Sequence, residues 1–324
     1  MPARIIIGGD IVPTESNYEL FKSGDVNTLI GEELQSLLGS ADFKIFNLEV
    51  PLTDVLNPIR KNGPALIAPT GCVTGLKGIN PCFFTLANNH ILDQGVDGLL
   101  STTEELKNAG IQYAGVGENI KDAARPFIFT YDDIKIGIYC CVEHEFSVAT
   151  GNAPGANPFD PLESPDHVAN LKAECDYVVI LYHGGKEHYR YPSPELQKRC
   201  RKFVDKGADI VICQHSHCIG CEEKWNSGTI VYGQGNFLFD NSKSEFWKTG
   251  LLVEVLLDAG TSRITYIPIV KKGETVRRAG LAESEQILKK FVERTEEIKG
   301  EWTIVNKKDT IYDENFTGIS IYAC

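Results

Sequence analysis

The 324-residue sequence predicts an α/β fold, and three features carry that expectation. Apolar runs of strand length recur along the chain, several of them close on Gly, Asp, Asn or His, and stretches with helical apolar spacing lie between them. The first run, residues 4–8, ends in Gly8-Gly9-Asp10 and reads as a buried strand entering a turn. Val26, Leu29, Ile30, Leu34, Leu37 and Leu38 then follow at helical spacing, with Gly39 as the stop. The second strand, residues 43–48, carries Asn47-Leu48-Glu49 at its end, and a loop rich in Pro and Gly continues to Thr70. The third, residues 82–87, ends in Asn88-Asn89-His90. Val96, Leu99, Leu100, Thr103 and Leu106 mark the amphipathic helix after it, which stops at Gly110.

Residues 127–131 and 134–141 are two further strands. Asp132-Asp133 joins them by a connection short enough for a hairpin, so the sheet need not be wholly parallel. Residues 147–165 hold Pro154, Pro158, Pro161 and Pro165 with Gly151 and Gly155, and form the longest irregular stretch; a loop of that kind in a compact domain is commonly functional. Alternation then resumes. Strand 177–182 leads to His183-Gly184-Gly185, a helix spans 194–206, and strand 209–213 leads to Gln214-His215-Ser216-His217. Strand 229–232 precedes Gly233-Gln234-Gly235-Asn236-Phe237, and strands near 251–257 and 264–270 follow. A charged helix over 282–299 and a polar tail complete the chain, which suggests a main domain at 1–272 with a C-terminal helix and tail at 273–324 packed on it.

Composition narrows the function. A hydrophobic fraction of 42% and a charged fraction of 23% are those of a soluble globular protein, and a formal net charge of -12 argues against nucleic acid as partner, because phosphate binding relies on excess Lys and Arg. No apolar run reaches membrane-spanning length, and the N-terminus runs straight into a strand without room for a signal peptide. The ten cysteines are then most simply reduced thiols of a cytoplasmic protein. Cys218-Ile219-Gly220-Cys221 is a single C-x-x-C pair, without the second pair or flanking histidines of a structural zinc site.

Asp10, Glu49, Asn89, His183, His215 and His217 are scattered over some 200 residues, yet each is expected immediately beyond an apolar strand, where ligand-contacting loops gather in open α/β sheets. Carboxylates, an Asn carbonyl and neutral imidazoles suit a divalent ion such as Mn, Zn or Fe. Taken singly these residues are weak signals: a strand-end Asp is commonly a turn residue, and Asn88-Asn89 can serve as a cap. His215-x-His217 is stronger, because alternate residues of an extended segment point the same way. Five of the seven histidines, His90, His183, His188, His215 and His217, fall in three of these strand-end loops. A carboxylate can bridge two ions, and Glu49 is the candidate bridge.

Together, Gly9-Asp10, Asn47-Leu48-Glu49, Ala87-Asn88-Asn89-His90 with Asp93 and Gly95, His183 with Glu187, His215-x-His217 and Gly235-Asn236-Phe237 resemble the CapA family of bacterial capsule, or poly-γ-glutamate, synthesis proteins over residues 4–240. That family is similar to the calcineurin-like metallophosphoesterases, so the resemblance implies a sandwich of two mixed β-sheets flanked by helices. It also implies that Glu49, Asn89, His183 and His215 serve one metal position and Asp10, Glu49 and His217 the other. His90 would face the substrate as the catalytic acid, oriented by Asp93, and Lys61, Glu187 and Asn236 would meet an anionic small-molecule, peptide or polymer substrate. The sequence departs from the pattern at three places. Val12 stands where the broader phosphoesterases carry a histidine, which makes the Asp10/His217 position the weaker of the two. Gly184 replaces a common Trp, and Cys213, Gln214 and Ser216 flank the last histidine pair where Gly, His and Pro are common. Three functions stay open to such a site: hydrolysis of phosphoester or γ-glutamyl-type bonds, proton abstraction beside a metal-polarised carbonyl, and non-catalytic binding or assembly in capsule or polyglutamate production.

Overall fold

The computed structural model describes residues 2–143, 146–239, 244–258 and 260–299; the expected polar tail lies outside them. In chain order the first strands are β1 Ala3–Val12, β2 Phe43–Leu48, β3 Phe83–Thr85, β4 Gln112–Ala114, β5 Val116–Gly117, β6 Phe127–Tyr131, β7 Ile134–Val142 and β8 Gly155–Ala156. The later ones are β9 Tyr177–His183, β10 Ile210–Gln214, β11 Glu222–Trp225, β12 Gly228–Tyr232, β13 Leu238–Phe239, β14 Thr249–Asp258, β15 Thr261–Lys272 and β16 Thr275–Arg278. The helices are α1 Tyr18–Ser23, α2 Val26–Gly39, α3 Val73–Ile79, α4 Gly95–Ala109, α5 Ile120–Ala123, α6 Glu163–Glu174, α7 Pro194–Asp205 and α8 Leu281–Glu297.

Two mixed sheets result. One runs β16-β15-β14-β1-β2-β3-β4 with β13 beside β1, and the other runs β11-β12-β10-β9-β7-β6. The expected hairpin at Asp132-Asp133 is present, with β6 antiparallel to β7 and Asp132 at φ 48°. Period-two alternation sorts the second sheet: Tyr177, Val179 and Leu181 of β9 join the core shared with the first sheet, whereas Val178, Ile180 and Tyr182 face a second core under α6 and α7. His183 has the parity of the inter-sheet face, so the strand's own pleat aims it at the first sheet. β1 sits centrally, between β14 and β2, and its unbroken Ile5-Ile6-Ile7 run reflects cover on both faces. Each such side chain taken out of water contributes about 1.5–3 kcal/mol. α7 begins with Ser193, whose hydroxyl accepts from Leu196 N at 3.1 Å, followed by Pro194 at the first helical position.

Several expectations need correction. Asp10 lies inside β1 and not beyond it: the register with β2 shifts between Ile7 and Asp10, and the strand then resumes pairing with β2 and β13 to Val12. β3 is shorter than residues 82–87, because Asn88 turns back to Leu86 O and its side chain takes Leu48 O, so Asn89 stands four residues past the strand. The stretch 147–165 is not wholly irregular; β8 pairs with β5, and α6 starts at Glu163 over an Asp160 side chain that accepts from Leu162 N and Glu163 N. Periodicity does not predict α1, α3, α5 or α6. The β15–β16 hairpin carries the first sheet past residue 272, and α8 packs Phe291 against Tyr266 at 4.6 Å between ring centroids. Among the described residues no helix is long and apolar enough to cross a membrane, and Cys218 and Cys221 are buried free thiols.

Candidate metal centre

The six expected ligand residues converge between the two sheets, and all are buried, with 6% exposure or less. Glu49 follows β2 directly, held by its N–H to Ile11 O at 3.1 Å. Glu49, His183 and His215 offer ligand atoms within 4.8 Å of one another, and so do Asp10, Glu49 and His217. Glu49 belongs to both groups. Asn89 Oδ1 lies 3.0 Å from His183 Nε2, which is also 3.3 Å from Glu49 Oε1. Asp10 accepts from Asn47 Nδ2 at 2.8 Å and has its other oxygen 3.6 Å from His217 Nδ1.

This donor set fits a divalent cation on an observation independent of residue type. Both Glu49 carboxylate oxygens and His215 Nδ1 are buried and make no hydrogen bond, Oε1 having only the ion-pair approach of His183 Nε2, although buried polar atoms are nearly always paired. An ion between them would satisfy all three. The protonation pattern agrees. Burial, together with positive charge on His183 and His217, pushes His215 well below its ordinary value, which leaves it a neutral donor. Burial opposes the charged form of His217, but contact with Asp10 and the negative charges of Glu49 and Asp10 outweigh it and push the imidazolium up to about 9. Burial likewise opposes the Asp10 carboxylate, yet His217, His183 and Asn47 hold its pKa below the ordinary value. Without a cation, protons on histidine balance the carboxylates.

The two groups differ in surroundings. Around Asp10 and His217, apart from their contacts with Asn47 and Asn236, the wall is apolar: Val12 is buried and paired with Phe239, and Trp247 lies against the His217 ring with centroids 4.5 Å apart. No polar side chain stands at Val12 to add a donor. Around Glu49, Asn89, His183 and His215 the loop residues Glu187 and Ser147 add polar contacts; Ser147 donates to Asn89 O at 2.7 Å, and Glu187 stands 3.9 Å from His215 Nε2.

His90 is buried beside this centre, with Nδ1 2.6 Å from Asp93 Oδ2. Lys61 pairs with Asp93 Oδ1 and lies 3.2 Å from His90 Nδ1, and its side chain is only 3% exposed. The fold thus holds the Lys61 side chain inside, paired with Asp93 beside His90. Glu187, half exposed, stands at the rim. Asn236 is buried and its Oδ1 meets His217 Nδ1 at 2.9 Å, so it contacts a ligand residue and does not line open space.

Sequence reasoning missed three contributors. Asn47 touches both Asp10 and His183, and Asn88 donates to Asn47 Oδ1 at 3.0 Å while accepting from His90 N. Both asparagines sit inside motifs already singled out, and an Asn at a buried strand end was the available signal. Trp247, whose Nε1 donates to His188 Nε2 at 2.8 Å, gave none. Gly9 is fixed by close approach: a Cβ there would stand 1.9 Å from Gly235 O.

Comparison with known proteins matches residues 4–241 to the family described as bacterial capsule synthesis protein PGA_cap. The capsule biosynthesis protein CapA of Bacillus anthracis is 29% identical over 203 residues, 60% of this chain and 49% of that protein. The PGA biosynthesis protein CapA of Bacillus subtilis is 28% identical over 244 residues, 74% of this chain and 64% of that protein. The chain thus spans about half to two thirds of the length of these relatives. Among solved structures, a hypothetical protein from Thermus thermophilus superposes with a TM-score of 0.53 at 10% identity, covering 83% of this chain and all of that one. A candidate 5′-nucleotidase from Staphylococcus aureus gives 0.50 at 15% identity, covering 90% of this chain and 58% of that one. These likenesses show a metallophosphoesterase-type fold.

Proposed function

The chain belongs to the bacterial capsule synthesis protein family PGA_cap, and from that premise we propose that it is a divalent-metal-dependent hydrolase of phosphoester or γ-glutamyl-type bonds. The observation that carries this is Glu49, fully buried at the junction of both ligand groups, with Oε2 unpartnered and Oε1 met only by His183 Nε2 at 3.3 Å, outside hydrogen-bond geometry. Asn89, His183 and His215 with Glu49 would hold one ion, and Asp10 and His217 with Glu49 a second, weaker one. A bound divalent ion supplies Lewis acidity at a phosphoryl or carbonyl oxygen and offsets the charge that develops there.

The remaining steps fall to the chain's own side chains. Asp93 engages His90 at Nδ1, which leaves Nε2 as the atom that can deliver a proton to a leaving group. Asn47 orients Asp10 through its carboxamide, and Ser147 fixes Asn89 through its main chain. The near-complete burial of all six ligand residues excludes bulk water and strengthens each electrostatic contact. The names of the Bacillus relatives point to capsule and PGA biosynthesis, which favours an anionic polymer or its fragments as substrate. The same reading takes residues 1–272, together with the β16 strand that continues the first sheet, as the family domain, with α8 packed on it.

The test is metal content per chain after purification without added metal, in wild type and Glu49→Ala, followed by incubation with Mn or Zn and a panel of phosphomonoesters, phosphodiesters and γ-glutamyl peptides. Metal in wild type, its loss in Glu49→Ala, and turnover abolished by His215→Ala support the proposal. Metal binding without turnover on any of these substrates would sink the hydrolase reading and leave a binding component.

A further inference from the structure

His215 and His217 both have left-handed backbone, at φ 84° and 55°, a region that non-glycine residues seldom occupy. Something must hold this turn. Within it, Ser216 Oγ donates to Cys218 O at 3.2 Å, and His188 N donates to Ser216 O at 2.9 Å. The segment that follows, Cys218-Ile219-Gly220-Cys221, is gripped from outside. Arg190 Nη1 donates to Ile219 O at 3.0 Å, and Arg294 Nε of α8 donates to Gly220 O at 2.8 Å. Gly220 cannot shift: its N–H donates to Gly233 O at 3.0 Å, and a Cβ on it would stand 1.7 Å from Tyr232 O.

We infer that Arg294 is a positioning residue for the metal centre: from α8, beyond the family match at 4–241, it fixes the loop after His217 and so keeps the His215-Ser216-His217 turn in ligating geometry. Arg294 is only 3% exposed, and a guanidinium is costly to bury in a helix whose docking an apolar residue could secure. Docking has its own apolar anchor in Phe291, which clusters with Ile219 and Leu251. Thr295, one residue on, accepts from Glu222 N at 2.9 Å, so α8 holds the chain on both sides of Cys221. Arg190 ties the same loop to the aromatic wall, lying 4.7 Å over Phe246, next in sequence to the Trp247 that faces His217.

This inference rests on the proposed metal reading, and calorimetric titration of the full chain with Mn²⁺ and Zn²⁺ separates the two. Arg294→Met is expected to weaken metal binding about 10- to 100-fold, as loss of a residue that orients ligands commonly does. It is also expected to shift the visible spectrum of Co²⁺-loaded protein. Arg294→Lys, which keeps the charge and a donor, should recover part of the affinity. Leu34→Ala, in α2 and away from the loop, serves as a destabilised control and should change neither affinity nor spectrum. Wild-type binding with unchanged affinity and Co²⁺ spectrum in Arg294→Met overturns the inference, and so does an equal loss in Leu34→Ala. If Arg294→Met does not fold, Arg294→Lys is judged by the same criterion against wild type. A wild type that takes up none of the three ions overturns the metal reading, and this inference with it.

Discussion

Replacing Glu49 by glutamine keeps the side chain's shape and removes one anionic donor from both ligand groups at once, because the two share this carboxylate. At a metal concentration 100 times the dissociation constant, binding stabilises the folded chain by about 2.7 kcal/mol. For a chain of this size that is a rise in Tm of about 5 °C, taking roughly 2 °C per kcal/mol. Weakening the affinity 100-fold leaves about 0.4 kcal/mol at the same concentration, a shift of under about 1 °C. Asp10→Asn touches only one group and should keep a larger share of the shift. Differential scanning calorimetry with and without Mn²⁺ or Zn²⁺ reads both variants. A Glu49→Gln protein that retains the full metal-induced rise would refute the idea that the two orphaned oxygens mark the centre of the site.

Four further outcomes are expected. His90→Gln should lower turnover of a hydrolysed substrate on the order of 10²- to 10⁴-fold while metal affinity measured by titration stays at the wild-type level, since His90 is not among the ligand residues; a fall in metal affinity of similar size would place His90 in the wrong role. In metal-free protein the His217 imidazolium is held up to about 9 against an ordinary 6.5, so its contribution to stability is fully present below pH 6.5 and is lost as pH rises towards 9; Tm across that window should decline in wild type and decline less in His217→Gln. Asp10, with its pKa held below the ordinary 3.8, works in the opposite sense and loses its contribution as pH falls below that value. Gly9→Ala places a methyl 1.9 Å from Gly235 O and should destabilise by about 1–3 kcal/mol or more in urea titration, with an unchanged midpoint as the contrary result.

The residues that converge as candidate ligands were legible in the sequence because their signals are local. Residue type, the apolar run before each ligand and the spacing of His215 and His217 all lie within a few positions, and period-two alternation turns His183 inward from β9 without any tertiary information. The same periodicities mark β1, β2, β3, β6, β7, β9, β10, β12, β14, β15, α2, α4, α7 and α8, with the bounds of β2 matching to the residue, but not the short elements between them. Tertiary structure decided what depends on distant partners. Asn47 acquires its role from Asp10, 37 residues away, and from His183, 136 away. Lys61 becomes a buried ion-pair member because Asp93 meets it inside the fold, and Asp10 stays within β1 because β2 and β13 resume the ladder after the register shift. The grip of α8 on the loop after His217 spans 74 residues from Gly220 to Arg294. A pattern with a short period fixes which face a side chain takes, whereas burial, pairing and strain are properties of contacts that exist only once the sheets have closed on each other.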